Sequence, residues 1–568
     1  MSQSEPASST DYRKEGILLP PVIPKIKDWP IARLLKDKSD FLEPVIEEAM
    51  QQLLNSKKGS PLELLESTMF RERARIKEEP WKVDPKDEMK FWSGVKKRLV
   101  NFEQEESNPE AQRLAQEAMV REIVERYSTE IASVFRPGTY HFAKRILPFL
   151  FSILLNASAG KTIRSLVKDR LGLQDKVHLT GEVEAIRSLA TKGTVVLVPT
   201  HFSNVDSILI GWGLHALGLP AFIYGAGLNL FNNKILAYFM SRIGAYKLDR
   251  RKRNPIYRAV LDAYSTTAIS RGAHSLFFPG GTRSRDGSIE KKLKLGLLGT
   301  AMESQRRAFL PEGDGGKIFI VPMVMSYHFV LEGNSLISQH LKRTGQEQYY
   351  ILNDEFASYR KFLNFVWKTF GRTSDITLNF GKPLDLFGNF VDQEGRSFDN
   401  NGREVDIKQY FMLKGEITKN VQRDQVYTKM LGDKIIERFH AENVVFSSHL
   451  AAFVAFEMLK KRNPDFDLYG LLRLPEEDRE LTRIEVYSAT ERVVTQLKAL
   501  KAEGKVCMAE HLEKEVPDII AHGVRNLGLF HSKRPLRFEN DHLMTSDNMN
   551  LLYFYHNRLT GYDLEQYI

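Results

Sequence analysis

The spacing of apolar and polar positions changes twice along the chain. From about residue 31 to 135, apolar residues recur at helical spacing among charges, as in Phe41-Leu-Glu-Pro-Val-Ile-Glu-Glu-Ala-Met50. This predicts an N-terminal helical region over 31–172, interrupted at Pro137-Gly138. Its last stretch, 139–172, sets the apolar run 146–157 beside Lys144 and Arg145. That run reads as a core helix with basic ends, or as a helix lying in a membrane interface. Beyond it, short strand-like runs alternate with helical segments. Strands are predicted at 176–181, 194–199, 273–278, 318–324 and 376–380, and helices at 229–242, 254–271 and 295–308. The alternation predicts an α/β layer, a central mixed or largely parallel sheet flanked by helices. Segments 311–316 and 392–404 read as loops, and long amphipathic runs return at 434–461 and 476–503. The expected organisation is a flexible arm (1–30), a helical region (31–172), an α/β domain (176–390) and a C-terminal helical region (405–568).

Composition narrows the class. A chain of 568 residues with 42% hydrophobic and 27% charged positions is globular and exceeds a single ordinary core. The single cysteine, Cys507, excludes an intramolecular disulfide and a multi-cysteine metal site, and points to a reducing compartment. The polar start Met1–Thr10 predicts no signal peptide. No run reaches the ~20 apolar residues that cross a bilayer as a helix. The formal charge of +9 suits anionic lipid, phosphate-bearing substrates or nucleic acid, without choosing among them.

Four patches carry candidate chemistry. In Thr194-Val-Val-Leu-Val-Pro-Thr-His-Phe-Ser-Asn-Val-Asp206, a buried strand runs into a loop bearing His201. A helix is expected to start near Ser203 or Asn204, both good caps. A neutral imidazole there can take a proton from a hydroxyl, and Asp206 can fix its tautomer. Backbone N–H groups at 201–204 are candidates for holding an oxyanion. The second patch, 242–253, holds six Lys/Arg against one Asp, Arg250 among them. The third, Phe277-Phe-Pro-Gly-Gly-Thr-Arg-Ser-Arg285, is a glycine turn whose backbone can approach a ligand closely, with Arg283 and Arg285 as forked donors for phosphate. The fourth, Ile320-Val-Pro-Met-Val-Met-Ser-Tyr327, reads alone as core. A zinc ion at His201 and Asp206 lacks a third ligand.

In this order the patches resemble the glycerol-phosphate acyltransferase superfamily. His201 and Asp206 match its H-x4-D block, Gly244 to Arg250 its G-x5-R block, Phe278 to Arg285 its F-P-E-G-T-R-S block, and Val321-Pro322 its V-P block. Lys294 and Gly296 look like the Lys-x-Gly that follows the third block, and Phe380-Gly-Lys-Pro-Leu384 like a strand that ends the catalytic domain. The resemblance spans roughly 176–390 and implies an acyltransferase fold. It also implies direct acyl transfer from acyl-CoA or acyl-carrier protein to glycerol-3-phosphate, in phospholipid biosynthesis. His201 would be the general base and Asp206 its support. Arg250, Gly281, Thr282, Arg283, Ser284, Arg285 and Lys294 would bind substrate, and no cofactor or metal is implied. A lipid product implies a peripheral membrane surface on the cytoplasmic side. The helical mass outside 176–390 and the ending Leu551-Leu-Tyr-Phe-Tyr-His-Asn-Arg558 look like the larger glycerol-3-phosphate branch; a lysophosphatidate acceptor is the alternative.

The third block departs from the pattern, with Gly280 where the family usually carries glutamate. That departure opens a further reading, a weakened scaffold that binds lipid or acyl carrier. The second block also departs, with Lys247 at a position where an aromatic or aliphatic residue is common. The basic clusters coincide with the blocks, and no nucleic-acid-binding motif accompanies them.

Overall fold

The computed structural model describes residues 18–55, 60–104, 108–144, 177–232, 234–344, 375–529 and 531–568. The apolar run 146–157 lies outside the described residues. At the centre is a seven-stranded sheet built from β1 (Val177–Gly181), β2 (Gly193–Pro199), β3 (Ile223–Gly227), β4 (Ala245–Leu248), β5 (Ser275–Leu276), β6 (Lys317–Tyr327) and β7 (Ile376–Phe380). The strand order is β1-β7-β6-β2-β5-β3-β4. All neighbours are parallel except β6 and β7, where Met323 pairs with Phe380 and Tyr327 with Ile376. The expected α/β class with a mixed sheet is what the chain adopts.

β2 shows why a β-branched run becomes a central strand. Stiff branched side chains suit the pleated backbone, and a strand covered on both faces has no polar side to alternate. Val195 and Leu197 pack into one core layer, and Val196 and Val198 into the other. The first layer is shared with Leu450 and Phe453 of the helix Ser447–Arg462, which is buried continuously from Ser447 to Leu459. A helix buried all round sits in the middle of a core. Residues of the C-terminal region therefore complete the sheet's covering. The N-terminal helices form a third core, in which Phe41, Val45 and Tyr127 meet Ile256, Val260 and Tyr264 of the helix Pro255–Ser270.

Several expectations change. Residues 18–30 of the predicted loose arm are anchored, with Leu19 N–H donating to Ala216 O and Val22 N–H to Gly218 O, both at 2.9 Å. Residues 1–17 lie outside the described residues. The run 434–461 is two helices, Val421–Ala441 and Ser447–Arg462, because Val444–Val445 leaves helical geometry to pair with Cys507–Met508. The loop 392–404 contains part of a small antiparallel meander, Phe390–Val391, Ser397–Phe398 and Glu404–Val405. β5 is shorter than 273–278 because the chain leaves the sheet at Phe277 for the glycine turn.

Candidate active site

The loop after β2 is shaped by one carboxylate. Asp206 is fully buried, and its Oδ2 accepts from Phe202 N–H at 2.7 Å, from Ser203 N–H at 3.0 Å, and lies 2.8 Å from His201 Nδ1. A carboxylate only accepts, so Nδ1 carries the hydrogen and Nε2 keeps its lone pair. Asp206 Oδ1 accepts from the Tyr327 hydroxyl at 2.6 Å. Burial and the neighbouring Asp206 push the Tyr327 phenol well above its usual range, so it stays a donor. The helix consequently begins at Asp206, and neither Ser203 nor Asn204 caps it. The His201 ring stacks on Phe278 at 4.0 Å between centroids and is 16% exposed, and Nε2 has no protein partner among the described residues.

A second buried carboxylate holds the rest of the loop. Glu332 accepts from Ser203 Oγ–H and Asn204 N–H, each at 2.9 Å, and from Arg283 at 3.2 Å. Burial raises its carboxyl above the ordinary value, against the pull of Arg283. His201 N–H donates to Glu290 at 3.0 Å. All four N–H groups from 201 to 204 are thus committed to carboxylates, which removes them as oxyanion donors. The sequence shows that these groups exist; only the tertiary structure shows them spent.

The glycine turn closes over this loop. Ser284 N–H donates to His201 O at 2.7 Å, tying the third patch to the first. Gly281 has φ +76°, and a Cβ there would lie 3.0 Å from Lys294 Cγ, so the turn needs glycine and the lysine stem lies against it. Lys294 N–H donates to Pro279 O at 2.7 Å, and the residue is exposed. Thr282 is exposed and Arg285 half-buried. The Ser284 hydroxyl contacts Asp286 Oδ1 and Ser288 O within the turn, so it holds the turn's own shape.

The basic run 242–253 divides by partner. Arg251 pairs with Asp84 and Asp249, and Lys252 with Glu130, fastening the N-terminal helices to the sheet. Arg250 has no ion pair or hydrogen bond among the described residues. Desolvation and the neighbouring charge of Arg283 hold its guanidinium below the ordinary arginine value. Two adjacent guanidiniums, one of them without a carboxylate, suit a doubly charged anion.

Sequence reasoning missed Tyr327 and Glu332 as site residues, and read Arg558 only as part of a C-terminal match. Arg558 is 4% exposed and lies over the Phe202 ring at 4.3 Å. It donates to Asn443 Oδ1, Met325 O and Ser326 Oγ. Burial lowers its pKa to about 10 despite the negative groups Glu290 and Asp206 nearby. A charge run signals a surface, but a lone arginine at the end of an apolar stretch carries no periodic signal.

Residues 180–326 match the acyltransferase family. Over 271 residues, 47% of this chain, it is 30% identical to a glycerol-3-phosphate acyltransferase of Ectopseudomonas mendocina. It is 27% identical over 274 residues to one of Pseudomonas putida, and 28% identical over 278 residues to one of Pseudomonas aeruginosa. The matched stretch covers 28% of the first two relatives and 29% of the third.

Away from the His201 loop, His328, His511 and His522 form the one group among the described residues able to approach a metal together. The His511 Nε2 accepts Ser447 N–H at 2.9 Å, which leaves the proton on its other nitrogen. His328 and His522 use Nδ1 on the hydroxyls of Ser448 and Ser447. These bonds use one nitrogen of each ring, and His328 Nε2 is buried without a hydrogen-bond partner among the described residues. Burial pushes the Cys507 thiol up to about 12, far from a nucleophile's range.

Proposed function

We propose that this protein transfers a fatty acyl group from acyl-CoA or acyl-carrier protein to the hydroxyl of glycerol-3-phosphate. One arrangement supports this reading above the others: an imidazole held by Asp206, with its free nitrogen outward, on a loop that Glu332 joins to Arg283. His201 Nε2 removes the hydroxyl proton as the oxygen attacks the thioester carbonyl. The C–S bond then breaks, and the imidazolium returns the proton to the departing thiolate, so no acyl-enzyme forms. General-base assistance of this kind contributes ~10²–10⁴-fold. Arg250 and Arg283 bind the phosphate, with Arg285, Thr282 and Gly281 on the glycine turn and Lys294 against it. The reaction needs no metal or cofactor.

The lipid product calls for a peripheral membrane surface on the cytoplasmic side. No described helix is long and apolar enough to cross a membrane. An exposed aromatic group supports attachment without crossing: Phe142 stacks on Phe239 at 5.8 Å, and Arg242 lies over the exposed Tyr238 ring at 3.9 Å.

The test is thiol release by the purified protein from a long-chain acyl-CoA. Glycerol-3-phosphate, dihydroxyacetone phosphate and lysophosphatidate are offered separately, with His201→Ala as control. Release that requires glycerol-3-phosphate and disappears in the variant is the expected result. Release with lysophosphatidate alone would move the protein to that acceptor class. Silence with every acceptor, in detergent and with liposomes, and with an acyl-carrier protein donor, would reject the acyltransferase reading.

A further inference from the structure

We infer that Glu290 is the positioning carboxyl of this active site, occupying the volume that a side chain at residue 280 would fill, and that Gly280 is glycine in order to admit it. The inference rests on the acyltransferase reading above, and it reverses the significance of the one departure in the third block.

Three observations carry it. A Cβ built on Gly280 would meet Glu290 Cγ at 3.0 Å and Oε1 at 3.1 Å, so the two positions compete for one place. The carboxyl in that place accepts the His201 backbone N–H at 3.0 Å, fixing the residue that carries the imidazole. Its second oxygen, Oε2, is buried with no hydrogen-bond partner, although Arg558 and Asp206 are near enough to interact electrostatically with the group. An acid brought from ten residues downstream thus stands where the family pattern carries one at 280.

The local chain path explains how it arrives. After Arg285 the chain turns at Gly287, where φ is +83° and a Cβ would come within 2.0 Å of Phe554 O, a close approach that only glycine permits. It then runs back beneath the glycine turn, and the Lys294 N–H to Pro279 O bond holds the returning segment there. Burial pushes the Glu290 carboxyl up from 4.5 to about 7. The groups facing it are the His201 backbone, Arg558 and Asp206, so its protonation is coupled to the catalytic loop.

The two readings of Gly280 predict opposite results. If glycine marks a weakened site, Gly280→Glu raises turnover. If Glu290 already supplies the acid, Gly280→Glu forces two carboxyls into one space and lowers it.

The experiment is a double-mutant cycle with Gly280→Glu, Glu290→Ala and their combination, read as kcat and KM for glycerol-3-phosphate. Each single variant should lose about tenfold to a hundredfold in kcat, as displaced catalytic groups do, with little change in KM. The combination should exceed both singles. A combination at or below the product of the two losses, or a gain from Gly280→Glu alone, overturns the inference. Glu290→Gln keeps an accepting oxygen for His201 N–H, so it should keep most of the activity and lose the inflection near pH 7; an unchanged pH profile counts against the role. A second cycle needs no activity: Gly280→Ala should lower the melting temperature of the parent, and lower it less in the Glu290→Ala background. Equal shifts in both backgrounds reject the shared volume. A parent that releases no thiol rejects the function, and this second cycle still decides the Gly280–Glu290 pairing.

Discussion

His201 Nδ1 and Asp206 Oδ2 are 2.8 Å apart, and the same carboxylate oxygen takes the N–H groups of Phe202 and Ser203, two of the four residues between the imidazole and the helix. One side chain therefore shapes the loop and orients the imidazole. Asp206→Asn replaces an acceptor-only group with one that also donates, so the loop and the tautomer suffer together. We expect kcat to fall ~10²–10⁴-fold, about as far as for His201→Ala, in line with the usual worth of general-base help. Thiol-release kinetics on both variants check this, with circular dichroism to establish that His201→Ala stays folded.

Tyr327→Phe leaves Asp206 Oδ1 without its hydroxyl donor in a fully buried place. Losing one partner of a buried polar pair costs about 1–3 kcal/mol. The melting temperature should fall, and kcat should fall with KM for glycerol-3-phosphate nearly unchanged. A KM effect larger than the kcat effect would mean that Tyr327 serves the acceptor directly.

Arg250→Ala should act in the opposite sense. With no ion pair to lose among the described residues, it should leave the unfolding free energy within about 0.5 kcal/mol of the parent, the usual range for surface changes. KM for glycerol-3-phosphate should rise and the effect of added salt on KM should diminish, as for a screened phosphate contact. Glu332→Gln tests the neighbouring guanidinium: it weakens the tie between Arg283 and the His201 loop, so kcat and KM should move together.

Stability should carry the signature of Glu290. Its carboxyl is raised from 4.5 to about 7, so below pH 4.5 both folded and unfolded states hold the proton. Between 4.5 and about 7 only the folded state keeps it, and stability from this group is lost as pH rises through that window. The loss is at most about 1.4 kcal/mol per pH unit. Comparing urea midpoints of the parent and Glu290→Gln at pH 5, 6, 7 and 8 isolates it from the other titrating groups. The difference between the two should change across pH 5–7 and level off above.

Phe453→Ala probes whether the C-terminal region and the sheet are one cooperative structure. Phe453 is fully buried in the layer that also holds Val195 and Leu197. Removing a buried phenylalanine costs ~3–5 kcal/mol. Unfolding should remain a single transition, shifted down. Two separated transitions would mean that the regions unfold independently.

Periodicity and motif spacing were enough to place much of this molecule. The β-branched run at 194–199, the helical spacing at 254–271 and the strand at 376–380 each became the expected element, because buried strands and amphipathic helices write their burial into residue order. His201, Asp206, Arg283 and Lys294 were legible because a short loop and a glycine turn keep their members close in the chain. The sequence alone, then, determined the α/β class and the residues that carry the acyltransferase resemblance. Tertiary structure alone decided that Tyr327, Glu332 and Arg558 enclose the His201 loop from positions 121 to 352 residues beyond Asp206. It also decided that Glu290 fills the space beside Gly280. The physical reason is common to all of them. Buried carboxylates and guanidiniums must find partners through space, and no local period records which partner the fold will bring.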